Sequence, residues 1–488
     1  MYTFSSKLKT FSLILMVIGI LGIGYGFIAA PKDIKEVEAM LATESHGSEH
    51  GVPHVAAEAH TTTEAKEVNT ANHTANPSTE THTATKEPVA DEAHEKVVSH
   101  ASAEGDKVSA ETEHKEHAEH VLHQLQNKPW AALYVACIFF MLISLGVLAF
   151  YAIQQVAQAG WSPVLFRVMQ GITAYLPVGS VIFFVFLVVI GITNSEHIHF
   201  NHLFVWMDPE VVAHDKLIAA KSGYLNFPFW IIRAAIFLIG WNLYRYYSRK
   251  NCLAQDEAKD DSFYKKNFKM SAGFLVFFIV TESIMSWDWI MSVDPHWFST
   301  LFGWYVFASF FVSGITTICL ITLYLKSNGY LEHVNTSHIH DLAKFMFGFS
   351  VFWTYLWFSQ FMLIWYANIP EEITYFVTRI ELYNLPFFGA VVMNFLFPVL
   401  ILINTDFKRI SWILVMAGSV ILLGHYVDFF NMIMPGTVGD QWFIGVSEIA
   451  SVLFFLGLFI YVVFTALTKV PLLPKRNPFI EESKHFHY

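Results

Sequence analysis

Cysteine is almost missing from this chain. Its 488 residues hold three, Cys137, Cys252 and Cys319, far apart and with no C-x-x-C or C-x-x-C-H spacing. That excludes a disulfide framework, a cysteine-held cluster and a covalently attached c-type haem. A redox cofactor would have to be non-covalent or belong to a partner. Charge is scarce as well: 15% of residues are Asp, Glu, Lys or Arg, against about 25% in a soluble globular protein. No basic domain exists, so nucleic acid is excluded as a partner.

What charge there is lies unevenly. Residues 31–129 hold 8 Lys against 19 Asp and Glu, which is the whole formal net charge of −11, and 12 of the 23 His. The remainder balances at 22 basic and 22 acidic side chains. It is a neutral chain of long apolar runs, the signature of an all-α polytopic membrane protein.

A bilayer core takes about 20 apolar residues as helix. Ten stretches qualify: 11–30, 130–153, 172–193, 227–247, 270–290, 298–325, 345–366, 383–403, 412–434 and 443–467. Trp and Tyr gather near many of their ends, among them Trp130, Trp161, Trp206, Trp297, Trp412 and Trp442, as an interfacial belt requires. Lys7 and Lys9 precede the first stretch, which predicts a cytoplasmic N-terminus. Alternation then puts 18 Lys and Arg on the cytoplasmic side and 3 outside, leaving out 31–129. This positive-inside bias supports the even span count, both termini in the cytoplasm and the acidic insert outside. Residues 1–30 read as an uncleaved transmembrane anchor rather than a secretory signal. Pro31 would follow the cut and Ile28 would sit at the −3 position. Gly22 and Gly26 make a small-xxx-small pair suited to close helix contact.

The insert is rich in Ala, Thr, Glu and His and nearly free of aromatic residues, so it is expected to be largely disordered. Residues 107–126 favour helix better and could extend the second span outward. His114, His117 and His120 recur at i, i+3, i+6. That spacing can hold a divalent metal loosely, but no tetrahedral set is implied and no metal site is expected.

The informative polar residues are those inside spans, where a charge costs roughly 2.5–3.5 kcal/mol on insertion scales. They are Arg233, Glu282, Asp288, His425, Asp428 and Glu448. His425 and Asp428 are i, i+3 and share a helix face. Carboxylates and a His at graded depth suit a proton path, with Glu282, His425 and Asp428 as its core. The competing reading is structural: Arg233 pairs with Glu282 or Asp288, and Glu448 holds a helix end. A b-type haem needs axial His inside the bundle. Only His425 is clearly there, since His197, His199, His202 and His296 lie at span ends, so haem is not expected. Quinones take apolar clefts with one or two polar groups. Gln360, Tyr366 and Asn368 on an aromatic helix are the candidates.

Three stretches carry a specific likeness: TESIMSWDWIMSVDPHWFSTLFGWY (281–305), WFSQFMLIWYANIPEE (357–372) and GHYVDFFNMIMPG (424–436). They resemble the F subunit of bacterial alternative complex III, a quinol:cytochrome c oxidoreductase, within the polysulphide-reductase and nitrite-reductase membrane-subunit superfamily. The likeness runs from about residue 130 to 470. It implies two four-helix bundles, spans 2–5 and 6–9, flanked by spans 1 and 10. The domain division is then 1–30, 31–129, 130–297, 298–442 and 443–488. The resemblance further implies menaquinol oxidation in a sister membrane subunit beside an iron–sulfur subunit, and haem in c-type cytochrome partners. For this chain it implies a proton path at Glu282, Asp288, His425 and Asp428. A structural scaffold and a secondary transporter remain as other classes. The inverted repeats and broken helices common in transporters are not visible in the sequence.

Overall fold

The computed structural model describes residues 2–47, 102–194 and 201–487. Residues 48–101 of the insert, the loop 195–200 with His197 and His199, and the side chain of His114 lie outside the described residues. Among the described residues there is helix and no strand. Residues 33–120 form one unit, with a helix over Ile34–Gly47 and another that begins at Ser102. The helix favoured by 107–126 runs unbroken over Ser102–Val156 and so extends the second span, as expected.

The other unit, residues 1–32 and 121–488, carries the helix bundle. Ten helices are long and apolar enough to cross a bilayer. In chain order spans 1 to 10 are Ser6–Ala29, His117–Val156, Pro163–Thr193, Phe227–Gln255, Ser262–Val293, Phe302–Ser327, Thr336–Ala367, Asn384–Leu402, Ser411–Val438 and Val446–Leu467. The chain is thus a multi-pass membrane protein by length and composition. Several spans outrun the apolar stretches that announce them: span 7 starts at Thr336 rather than 345, and span 5 at Ser262 rather than 270. Hydropathy sees only the hydrocarbon core, whereas helical hydrogen bonding continues into the interface.

Two spans are central. The apolar windows of spans 2 and 6 are 94% and 89% buried, while the other eight lie between 22% and 56%. Spans 2 and 6 cross closely because both carry Gly at the crossing. A Cβ added to Gly146 would stand 2.6 Å from the Phe310 carbonyl oxygen, and one on Gly314 would stand 2.9 Å from the Val147 nitrogen. Small residues allow such approach in membranes, where helices gain by packing rather than by escaping water. Spans 3, 4 and 5 pack in chain order, as do spans 6, 7, 8 and 9, and span 9 also packs on span 6. The remaining faces expose large apolar side chains such as Val181, Ile236, Val276, Leu363 and Leu400, suited to lipid.

Spans 1 and 10 pack antiparallel. Going up span 1, Gly19, Gly22 and Gly26 meet Phe454, Ala450 and Ser447 in descending order. Both chain ends lie at the same end of the bundle: Tyr2 touches the rings of Tyr330 and Phe464, and Asn335 donates to the Phe486 carbonyl at 2.5 Å. We call this the tail end and the opposite one the loop end. Gly22→Leu is expected to cost about 1–3 kcal/mol by overpacking, lowering the thermal midpoint in detergent. A Cβ on Gly24 meets nothing within 4 Å, so Gly24→Leu is expected to leave the midpoint unchanged.

Span 8 is irregular. A π-helical stretch over Val392–Leu396 joins Asn384–Val391 to Phe397–Leu402. Pro398 has no N–H, and its ring crowds the carbonyl four residues back, that of Asn394. The wider turn relieves the clash and leaves Asn394 buried with both side-chain polar atoms unpartnered. Such π turns often mark functional sites.

Candidate functional site

The largest concentration of buried polar groups joined side chain to side chain in the second half of the chain is at Asp428. Span 9 brings Asp428 and His425 to one face, 1% and 0% exposed. Span 6 supplies Tyr305 and Ser309, also i, i+4 on one face. Tyr305 donates its phenol to Asp428 Oδ1. Ser309 lies 2.8 Å from Asp428 Oδ2, and Trp353 of span 7 donates its indole N–H to the same oxygen at 2.9 Å. Asp428 therefore accepts three neutral hydrogen bonds. Among the described residues no Lys or Arg pairs with it, and His425 Nδ1 stands 3.8 Å from its Oδ2.

The same contacts assign proton positions. Ser309 Oγ is 2.9 Å from His425 Nδ1. If Ser309 gives its one proton to Asp428, it must accept from His425, so Nδ1 carries hydrogen and Nε2 is the lone pair. Nε2 is buried and unpartnered. The imidazole can thus take a proton at Nε2 and release one at Nδ1. Tyr305, Asp428, Ser309 and His425 form a continuous chain of groups that each donate or accept.

The chain continues toward the loop end. Tyr305, Gln360, Tyr375, Arg379 and Asn431 line a cavity of about 10 Å³, room for a single water. Gln360 Nε2 and Asn431 Oδ1 are buried there without partners, the donor and acceptor such a water needs. Arg379 closes the cavity. It is 3% exposed, stacks 3.3 Å from the Tyr375 ring centre, and donates only to carbonyls, those of Asn431, Tyr375 and Met432. The amphipathic helix Pro370–Glu381, which links spans 7 and 8, turns it inward, a buried cation with no carboxylate bound to it. From His425 to Asn431 the rise along span 9 is about 9 Å. On the tail side of His425, Ser350, Thr316 and Asn394 each bury an unpartnered polar atom on spans 7, 6 and 8.

The other sequence candidates do not join this chain. Arg233 and Asp288 form a two-pronged ion pair, Nε to Oδ2 at 2.6 Å and Nη2 to Oδ1 at 2.9 Å. Arg233 also donates to the Tyr224 carbonyl and lies over the Tyr224 and Phe229 rings. All its geometry is that of a helix clamp between spans 4 and 5. Glu282 is 4% exposed and is met by its own helix only, by Ser283 at 3.2 Å and Ser286 at 3.3 Å. No hydrogen bond or ion pair links it to His425 or Asp428. The expected relay from Glu282 to His425 and Asp428 is therefore not made by direct side-chain hydrogen bonds. Glu448 accepts the Gly445 N–H at 2.8 Å and caps span 10, with Oε1 buried and unpartnered.

Nor do the three quinone candidates converge. Gln360 is buried at the small cavity, whereas Tyr366 is 89% exposed. Asn368 ends span 7 with φ 50°, a left-handed turn that Asn tolerates and most side chains do not.

A second polar network, unseen from sequence, lies near the tail end of spans 2–5. The Tyr151 phenol oxygen is within 3.1–3.4 Å of Gln155, Gln170, Ser248 and Asn267. Beside it Arg167 bonds Asp256 at 2.5 Å, and Asp256 accepts the Lys475 backbone N–H from the tail. No group of three or more His, Cys, Asp or Glu among the described residues is placed to hold a metal ion. No protein-family model matches the chain, and neither does any curated protein.

Proposed function

We propose that the chain is an integral membrane subunit of a respiratory quinol:cytochrome c oxidoreductase of the alternative complex III type, and that spans 6–9 conduct protons between mid-membrane and the loop end. The observation that carries the proton reading is the buried Tyr305–Asp428–Ser309–His425 chain with its unpaired carboxylate. Packing alone would favour apolar residues, which insert without cost. The oxidoreductase reading rests on the three sequence likenesses, two of which hold the site: 281–305 contains Tyr305, and 424–436 contains His425, Asp428 and Asn431. The packing of spans 3–5 and of spans 6–9 in chain order is compatible with two bundles, spans 2–5 and 6–9. The charge bias supports cytoplasmic termini, a periplasmic loop end and a periplasmic insert in the bacterial cytoplasmic membrane.

In this reading iron–sulfur clusters and c-type haem belong to partner subunits, and menaquinol is oxidised in the sister membrane subunit. Of the quinone candidates in this chain only Gln360 faces inward, at a space sized for water, so Tyr366 and Asn368 are not assigned a quinone. Mild-detergent purification of the tagged protein from its own membranes tests the assembly. Expected are co-purifying c-type haem, iron–sulfur protein and quinol-dependent reduction of cytochrome c. Purification alone, with no haem-bearing partner and no such activity, would overturn the assignment.

A further inference from the structure

A cavity of about 860 Å³ among spans 2, 6, 8, 9 and 10 belongs to neither polar network. Its walls are almost wholly aliphatic and aromatic. Leu385, Leu423 and Ile449 line it and are also 78%, 57% and 55% exposed, so its mouth opens to the lipid side between spans 8, 9 and 10. At its edge stand two polar groups without partners, the Tyr426 hydroxyl and Glu448 Oε1, both buried. Glu448 is 2% exposed, and its other oxygen is held by the Gly445 N–H. The free oxygen is therefore fixed in place. Buried polar atoms are normally paired, and here a donor-acceptor and an acceptor border one apolar space.

We infer that this cavity binds a long-chain amphiphile with an uncharged, hydroxyl-bearing head, the head at Tyr426 and Glu448 and the chain along spans 9 and 10. The head hydroxyl donates to Glu448 Oε1 and accepts from Tyr426. An anionic head would face a carboxylate in a low-dielectric setting, which is strongly unfavourable. A cationic head would lose its hydration among walls that are almost wholly apolar. A partner's spanning helix is too large. A cylinder about 10 Å across fills 860 Å³ in roughly 11 Å, about a third of a bilayer crossing. The volume is in the range of small-molecule sites, about 300–1,000 Å³. An isoprenoid hydroquinone and a diacylglycerol share this chemistry. The inference does not depend on the proton path or on the respiratory assignment.

The test uses the full chain in nanodiscs with two photoreactive, alkyne-tagged probes, one an isoprenoid hydroquinone and one a diacylglycerol. Peptides carrying Tyr426 and Glu448 are expected to be labelled by at least one probe. Labelling should be competed by the unlabelled neutral compound and not by phosphatidylglycerol, and should fall tenfold or more in Tyr426→Phe and Glu448→Gln. Tyr426→Phe removes one oxygen from the cavity edge, and Glu448→Gln retains an acceptor for Gly445, so both variants keep the fold. The better-competed probe identifies the source of the head. Equal competition by phosphatidylglycerol, no label on these peptides, or labelling unchanged in both variants would overturn the inference.

Discussion

Arg233→Ala is expected to lower the stability of the protein by about 3–5 kcal/mol, the usual cost of removing one partner from a buried ion pair. Asp288 is fully buried and receives both prongs of the guanidinium. Without Arg233 its carboxylate would be left charged in an apolar bundle or forced to take up a proton. The double variant Arg233→Met/Asp288→Leu removes both charges together and is expected to recover most of the loss, because well-packed apolar pairs often replace buried ion pairs without penalty. Chemical denaturation of all three forms in one detergent checks this. A single variant within about 1 kcal/mol of wild type would show that the pair is not a clamp.

Asp428→Ala is expected to be comparably damaging, for a different reason. Tyr305, Ser309 and Trp353 would all lose their acceptor, and each buried donor left unpaired costs about 1–3 kcal/mol. Asp428→Asn keeps the shape and one acceptor oxygen. It is expected to cost only about 1–3 kcal/mol, because one donor then faces the amide nitrogen. The gap between Ala and Asn, measured as thermal midpoints of the purified protein, checks that the carboxylate is a three-bond hub. Equal midpoints for the two variants would contradict the hub.

The sequence carries depth far better than azimuth. Ten apolar stretches announce ten spans, because each must bury about 20 residues of backbone in hydrocarbon. His425 and Asp428 are legible as a pair because i, i+3 fixes one face. What is not legible is how each span is rotated about its axis. Glu282 and Asp428 sit at similar depth, yet Glu282 turns to serines of its own helix and Asp428 turns to spans 6 and 7. For the same reason Arg233 could be matched by eye to Glu282 or to Asp288 with equal justice. Tyr305, Ser309 and Trp353 carry no formal charge, so nothing in composition separates them from dozens of interfacial or packing residues. The Tyr151 network escapes in the same way, since it takes one unremarkable polar residue from each of several helices. The burial of Arg379 is not legible because a short amphipathic helix after span 7 folds back on the bundle, a move that hydropathy cannot register.

The central claim is that Asp428 carries protons. Its most direct test is the number of protons moved per electron by closed vesicles holding the intact assembly, read with a pH indicator during quinol turnover. Wild type is expected to move protons in a fixed ratio to electrons. Asp428→Asn, in an assembly of unchanged subunit content, is expected either to lower that ratio at least tenfold by uncoupling or to slow proton and electron movement together at least tenfold. An Asp428→Asn assembly that moves protons at the wild-type rate and ratio would contradict the account and leave the Tyr305–Asp428–Ser309–His425 chain as packing.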